Sequence, residues 1–328
     1  MKKKMRSDSP RSVSFPILLP LLLSLAAVTA GAGGAPPPPA SVVVVVCDTK
    51  RAINDSLVDA GSLAVQLPAL VAALRCGALR VPLLPDRAAP RDYPAAHNAT
   101  AAFARARGLL LYASPMEGAW AALGADEGRY ARWAAEYAAA FAPDLLSPFN
   151  EVGAGCGADC MHRVATAVRA ALPPPQPPRT AVALAGPDAE HVAASAALVG
   201  ARADRLAVFD VVGSHNAGGD ASNTRAQWAA LAALAGGRPL WSSENPACFS
   251  LQPCTRFGSM GEAVAGGAAA VVLWNALGDD LLLNLTVTAK GLDIASHLHA
   301  GAGGAAGGGG AAAAGAAAAA AAAADRRR

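Results

Sequence analysis

Leu145-Leu146-Ser147-Pro148-Phe149-Asn150-Glu151 reads as a short apolar strand that stops at an Asn-Glu pair. Further along, Arg238-Pro239-Leu240-Trp241-Ser242-Ser243-Glu244 repeats the pattern and stops at a second glutamate. Either dipeptide alone is common. Whether the two mean anything together depends on where the rest of the chain puts the strand ends.

Working outward, strand-like and helix-like segments alternate. Ser41–Cys47 is a β-branched run of the kind found in strands buried on both faces. Asp55–Cys76 reads as a helix that Pro68 breaks or kinks. Leu79–Leu84 follows as a strand, 96–107 as a helix and Gly108–Ser114 as a third strand. Asp126–Phe141 carries Tyr130, Trp133, Ala134 and Tyr137 at helical spacing. After the Asn150-Glu151 strand come a helix at 157–172, a strand at Thr180–Gly186 and a helix over Pro187–Arg202 that opens with Asp188. Leu206–His215 is the sixth strand and 222–236 a helix; the Glu244 strand is the seventh. A helix at 257–267, a strand at Ala268–Asn275 and a helix at 288–298 complete the series. Eight strand–helix units in a chain of 328 residues predict an α/β fold, a (β/α)8 TIM barrel, without an obvious accessory β-sandwich. An open doubly wound sheet uses the same alternation with fewer units.

In a barrel of this kind all strand C-termini open on one face. Glu151 after strand four and Glu244 after strand seven are then expected to approach each other across the mouth. Two carboxylates about 5–5.5 Å apart are what double-displacement glycoside hydrolysis requires.

The sequence here resembles the clan A retaining glycoside hydrolases, and within them the glucosylceramidase-like barrels of family 30. The matching pieces are Leu79-Arg80-Val81-Pro82-Leu83, Ala113-Ser114-Pro115 with Trp120, Phe149-Asn150-Glu151, Gly213-Ser214-His215, Trp241-Ser242-Ser243-Glu244 and Leu273-Trp274-Asn275. The resemblance implies Glu151 as general acid/base and Glu244 as nucleophile. It implies Arg80 as the cation beside that nucleophile, Asn150 as a partner of the sugar 2-hydroxyl, His215 as a contact of the nucleophile region and Trp274 as a flat platform for a sugar ring. It implies a carbohydrate or glycolipid substrate, no cofactor and no metal. Against this stand ordinary roles: an ion-pair partner for Arg80, a polar strand end for His215, rim packing for Trp274. Trp120 and Tyr112 read as packing residues. Met116-Glu117-Gly118 and Asn216-Ala217-Gly218 stand where members of that family usually place aromatics, and the chain has no room for their β-sandwich. A non-catalytic carbohydrate-binding barrel is the rival expectation.

The termini carry separate information. Lys2, Lys3, Lys4, Arg6 and Arg11 precede an apolar stretch from Phe15 to Val28 and then small residues, the pattern of a secretory signal over residues 1–30. The apolar run is short for a spanning helix, so cleavage and a secreted or endomembrane-lumen location are expected, with no stable membrane span afterwards. Residues 31–40 form a Pro-rich linker, 41–299 the barrel and 300–328 an Ala/Gly tail expected to be disordered. The formal charge of +3 comes from the ends: residues 1–30 carry +4 and 325–328 carry +2, which leaves −3 between them. That balance argues against a nucleic-acid partner. Asn54, Asn98 and Asn284 head N-x-[ST] triplets and are candidate glycan sites. Six cysteines in a secreted chain point to disulfides, expected within or between Cys156/Cys160 and Cys248/Cys254, near the catalytic strands. A Cys47–Cys76 bridge is not expected, because Cys76 ends a helix at the opposite face from the end of strand one.

Overall fold

The computed structural model describes residues 43–296 except 86, 88–89, 152–154, 173, 175–180, 201–203, 205–206, 217–222, 246–255, 275, 278–282 and 289–290. The signal, linker and tail expectations lie outside these residues. Among the described residues, no helix is long and apolar enough to cross a membrane.

Eight parallel strands close into a barrel in chain order, with β1 (Val44–Asp48) paired to both β2 (Ala78–Leu83) and β8 (Ala268–Leu273). Between them run β3 (Leu110–Pro115), β4 (Leu145–Leu146), β5 (Ala183–Ala189), β6 (Val211–His215) and β7 (Leu240–Asn245). The intervening helices are α1 (Lys50–Asn54), α2 (Ala60–Leu74), α3 (Ala95–Arg107), α4 (Ala119–Ala122), α5 (Glu127–Phe141), α6 (Ala158–Ala171), α7 (Val192–Gly200), α8 (Arg225–Leu234) and α9 (Arg256–Ala265).

Alternation along the strands decides what the mouth contains. Val46, Ala78, Tyr112, Leu145, Val211 and Trp241 belong to one buried cluster that takes a side chain from strand after strand, the packed interior of the barrel. Side chains two residues on share that direction. The next positions toward the mouth are therefore Asp48 above Val46, Arg80 above Ala78 and Ser114 above Tyr112, with Gly213 and then His215 above Val211. The odd-parity residues Cys47, Leu79, Val81 and Leu111 instead pack outward against the helices.

Several expectations change. Pro68 sits inside α2 without breaking it, and the helix is capped by Asp59, whose side chain accepts from the Ser62 amide. Strand four is only Leu145–Leu146, so Asn150 and Glu151 lie beyond its end, and Glu151 takes a left-handed conformation with φ +49°. Strand five runs through Pro187 to Ala189. Asp188 is thus a buried strand residue, and the helix behind it starts only at Val192. The expected last helix at 288–298 is a hairpin of β9 (Leu283–Thr288) and β10 (Gly291–Ser296). Leu283-Asn284-Leu285-Thr286-Val287-Thr288 alternates apolar and polar side chains, a period-two signal.

Cysteine pairing departs from expectation once and follows it once. Cys47 and Cys76 are disulfide-bonded with their Cα atoms 5.8 Å apart. Cys47 points outward from β1 into the layer between sheet and helices. Arg75 caps α2 with φ 51°, turning the chain so that Cys76 arrives beside it. Side-chain direction decided this pairing, whereas the sequence argument considered only which end of the barrel each residue occupied. Cys156 and Cys160 form a second disulfide at the start of α6, within one of the expected pairs. Cys248 and Cys254 lie outside the described residues.

Candidate active site

The barrel mouth gathers five of the six sequence-predicted residues into one network. Arg80 is fully buried on β2, third of its six residues. Its guanidinium donates in four directions: to Glu244 Oε2 at 2.7 Å, Asp48 Oδ2 at 3.1 Å, Asn150 Oδ1 at 2.9 Å and Ser114 Oγ at 2.8 Å. The Tyr112 ring lies beneath it, 5.3 Å from centroid to guanidinium carbon. This planar fork can be filled by several acceptors at once in a way that an ammonium cannot.

His215 closes the other side. Its Nδ1 is 2.7 Å from Glu151 Oε1, while Nε2 lies 3.5 Å from Asp188 Oδ1 and 3.7 Å from Glu244 Oε2. Burial disfavours its charged form, but Glu244 and Asp188 outweigh this and raise its pKa to about 10. His215 is therefore an imidazolium at neutral pH. It touches both carboxylates and not only the expected nucleophile region. A Glu151 oxygen, a Glu244 oxygen and a His215 nitrogen all lie within 4.8 Å of one another.

The two glutamates differ in environment. Glu244 is buried, which disfavours its charge, but His215, Lys50 and Arg80 together hold its pKa well below the usual carboxylate range. The side chain of Glu151 is about one-fifth exposed, at 22%. Its backbone amide donates to the Asp188 carbonyl at 3.1 Å. Glu117, exposed on the loop after β3, has its pKa raised by partial burial and then by the nearby charges of Glu151 and Glu244. This acidic side chain occupies a wall where the resemblance implied an aromatic.

Three residues of the network escaped the sequence reading. Asp48 ends β1 and is 1% exposed. Lys50, at 2%, places its Nζ 2.8 Å from Asn150 Oδ1 and 3.5 Å from Glu244 Oε2. Asp188, fully buried, accepts from the Ser243 and Ser147 hydroxyls and lies 4.0 Å from Arg80 Nη2. The available signal was a pair of charged residues, Asp48 and Lys50, directly after an all-apolar strand, where a barrel opens its mouth.

Trp274 lies in the turn after β8. It is half-buried, and the Arg51 guanidinium lies 5.9 Å from its ring centroid. Trp120 packs on Tyr130 and donates to the Gly155 carbonyl, as a packing residue does. Asn216 is fully buried: its amide donates to Asn245 Oδ1 at 3.0 Å and its backbone amide to the Glu244 carbonyl at 2.7 Å. It braces β7 from a position where an aromatic would have faced the ligand.

Glu151, His215 and Glu244 could also converge on a divalent cation. Glu244 Oε2, however, already meets Arg80 and Lys50, and His215 is itself positive. A metal ion there would face two cations beside Glu244 and would have to displace the proton of His215, so the charge pattern fits a free carboxylate better than a metal centre.

Stability follows from the imidazolium. His215 titrates at about 10 in the fold and near 6.5 unfolded, so the native state binds more protons between those values. Stability from this group is complete below pH 6.5 and is lost as pH rises through 10, about 5 kcal/mol over the window. Lys50, whose pKa burial and Arg80 lower, titrates with the opposite sign. The diagnostic is therefore a difference: in urea unfolding, the stability gap between wild type and His215→Gln should shrink steadily from pH 6.5 to 10. A gap independent of pH contradicts the imidazolium assignment.

No protein-family model matches the chain, and no curated protein matches it. Solved structures share its barrel loosely. A glycosyl hydrolase family 2 member from Bacteroides cellulosilyticus is 14% identical, covering 72% of this chain and 28% of its own, with a TM-score of 0.43. An enolase from Bradyrhizobium, complexed with magnesium and mandelic acid, is 12% identical over 71% of this chain and 52% of its own, at 0.41. The carboxyl transferase domain of Rhizobium etli pyruvate carboxylase is 13% identical over 73% and 42%, at 0.48. The chain thus spans about a quarter to a half of these proteins, and such distant likeness carries no argument about chemistry.

Proposed function

We propose that the protein is a retaining β-glycosidase of the clan A type, secreted or lumenal, that hydrolyses O-glycosidic bonds of a glycan or glycolipid. The observation that carries this reading is the approach of Glu151 and Glu244 oxygens within 4.8 Å. That is closer to the carboxyl separation of retaining enzymes, about 5–5.5 Å, than to the about 6.5–9.5 Å of inverting ones.

The roles follow from the environments. Glu244, held ionised by Arg80, Lys50 and His215, attacks the anomeric carbon as the bond to the leaving oxygen breaks. Glu151, the more exposed of the two, delivers a proton to that oxygen, and the Glu151–His215 contact of 2.7 Å keeps a proton within reach of it. Water then attacks the anomeric carbon of the glycosyl-Glu244 ester as Glu151 takes up its proton. The ester bond breaks, and both carboxyl groups return to their starting states. Arg80 stabilises Glu244 as the departing carboxylate in this second step.

Stereochemistry tests the reading. Incubated with aryl β-glycosides, the mature chain should release the β-anomer first, as followed by proton NMR before mutarotation. Initial release of the α-anomer would mean inversion and would end the proposal. Ligand binding without turnover on any activated glycoside would favour the carbohydrate-binding barrel.

A further inference from the structure

Lys50 is held where few lysines are found. Asp48 Oδ1 accepts from its backbone amide at 2.6 Å, and Thr49 ties the same turn to β2, its amide and hydroxyl both reaching the Arg80 carbonyl at 3.0 and 2.8 Å. This turn drives the Lys50 side chain across the barrel mouth. An ammonium has three donors. Here they face three acceptors: Asn150 Oδ1 at 2.8 Å, the Pro115 carbonyl at 3.4 Å and Glu244 Oε2 at 3.5 Å. The group is saturated by protein, so it is not waiting for an anionic ligand.

Its effect falls on Asn150. Oδ1 of this residue, 4% exposed, accepts from both Lys50 Nζ and Arg80 Nη2. A flipped amide would point its NH2 group at two cations, so the flip is closed. Asn150 therefore turns its NH2 group away from them.

We propose that Lys50 is a positioning residue that, together with Arg80, locks Asn150 as a pure donor toward the substrate and shares the nucleophile Glu244. This rests on the glycosidase reading above and narrows its substrate class. The position Asn150 addresses must carry an acceptor, such as a neutral hydroxyl oxygen. A sugar with a 2-ammonium group or a 2-deoxy position is a poor fit.

Two variants separate the two effects. Lys50→Met conserves much of the volume and removes both charge and donor. Lys50→Gln keeps a donor for Asn150 and removes the charge. The kcat/KM ratio between a 2-hydroxy and a 2-deoxy aryl β-glycoside should fall on the order of tenfold in Lys50→Met, the value of one charge-assisted hydrogen bond, and much less in Lys50→Gln. Both variants should move the acid limb of the kcat/KM profile to higher pH, because Glu244 loses a cation. Hydrogen exchange at the Asn150 side-chain amide, followed by NMR on nitrogen-labelled protein, reads the locking without turnover and should quicken in Lys50→Met alone. Unchanged amide exchange in Lys50→Met overturns the proposal, as does an unchanged substrate ratio. If the wild type turns over no glycoside, the glycosidase reading fails, and the exchange measurement still decides whether Lys50 locks Asn150.

Discussion

Glu244→Ala is expected to lower kcat on aryl β-glycosides by on the order of 10^5, because under the proposed mechanism it removes the group that forms the covalent intermediate. Added azide should restore part of the rate and yield the α-glycosyl azide, since the anion enters from the face Glu244 has vacated. Glu151→Ala should behave differently. A dinitrophenyl leaving group needs no proton, so glycosyl-enzyme still forms and azide captures it as the β-glycosyl azide. The opposite stereochemistry of the two products assigns the roles independently of rate. If both variants gave the same anomer, the nucleophile and acid/base assignments would be wrong. Trace wild-type contamination is excluded by the same assay, because it gives no azide product.

Arg80→Met is expected to cost about 3–5 kcal/mol of stability, the usual consequence of stripping the partner from buried charge. The guanidinium serves Asp48, Asn150, Ser114 and Glu244 together, and three carboxylates, those of Asp48, Asp188 and Glu244, lie buried within 4.0 Å of it. A loss of that size is a large share of the 5–15 kcal/mol typical of a whole domain. Urea unfolding should show the midpoint fall with the slope unchanged. Adding Asp48→Asn to Arg80→Met should recover part of the loss, since it removes one of the orphaned charges. A loss under about 1 kcal/mol would mean that water reaches the cluster and that its low-dielectric character has been overstated.

The barrel was legible because its strands are apolar runs ended by polar residues, and the even spacing of those runs counted them correctly. Glu151 and Glu244 drew attention for the same reason: each is a carboxylate that closes a stretch beginning with an apolar strand, although β4 itself stops at Leu146. Asp48 and Lys50 were not, because aspartate and lysine default to the surface and only three-dimensional compensation permits their burial. Asp188 was hidden by its neighbours. A Gly-Pro pair followed by Asp has the look of a strand stop and a helix cap, yet β5 continues through it. The final hairpin was missed because its first strand was assigned to no element and its second was taken for a helix. The Cys47–Cys76 pairing turned on whether residue 47 faces the interior or the helices, a one-residue question of register that periodicity leaves open.

The pairing of β1 with β8 bears on how the chain must be made. A ribosome delivers the chain from the N-terminus at about 5–20 residues per second, and domains fold in that order. Cys47 and Cys76 emerge together and can be joined while most of the barrel is still unsynthesised. Asp48, Lys50 and Arg80 emerge in the same early segment, but the glutamate that answers the two cations is at position 244 and the closing strand ends at 273. For much of its synthesis the nascent chain carries an open sheet edge and two cations that Asp48 alone answers. A chain with this topology is expected to lean on chaperones until its last strand arrives.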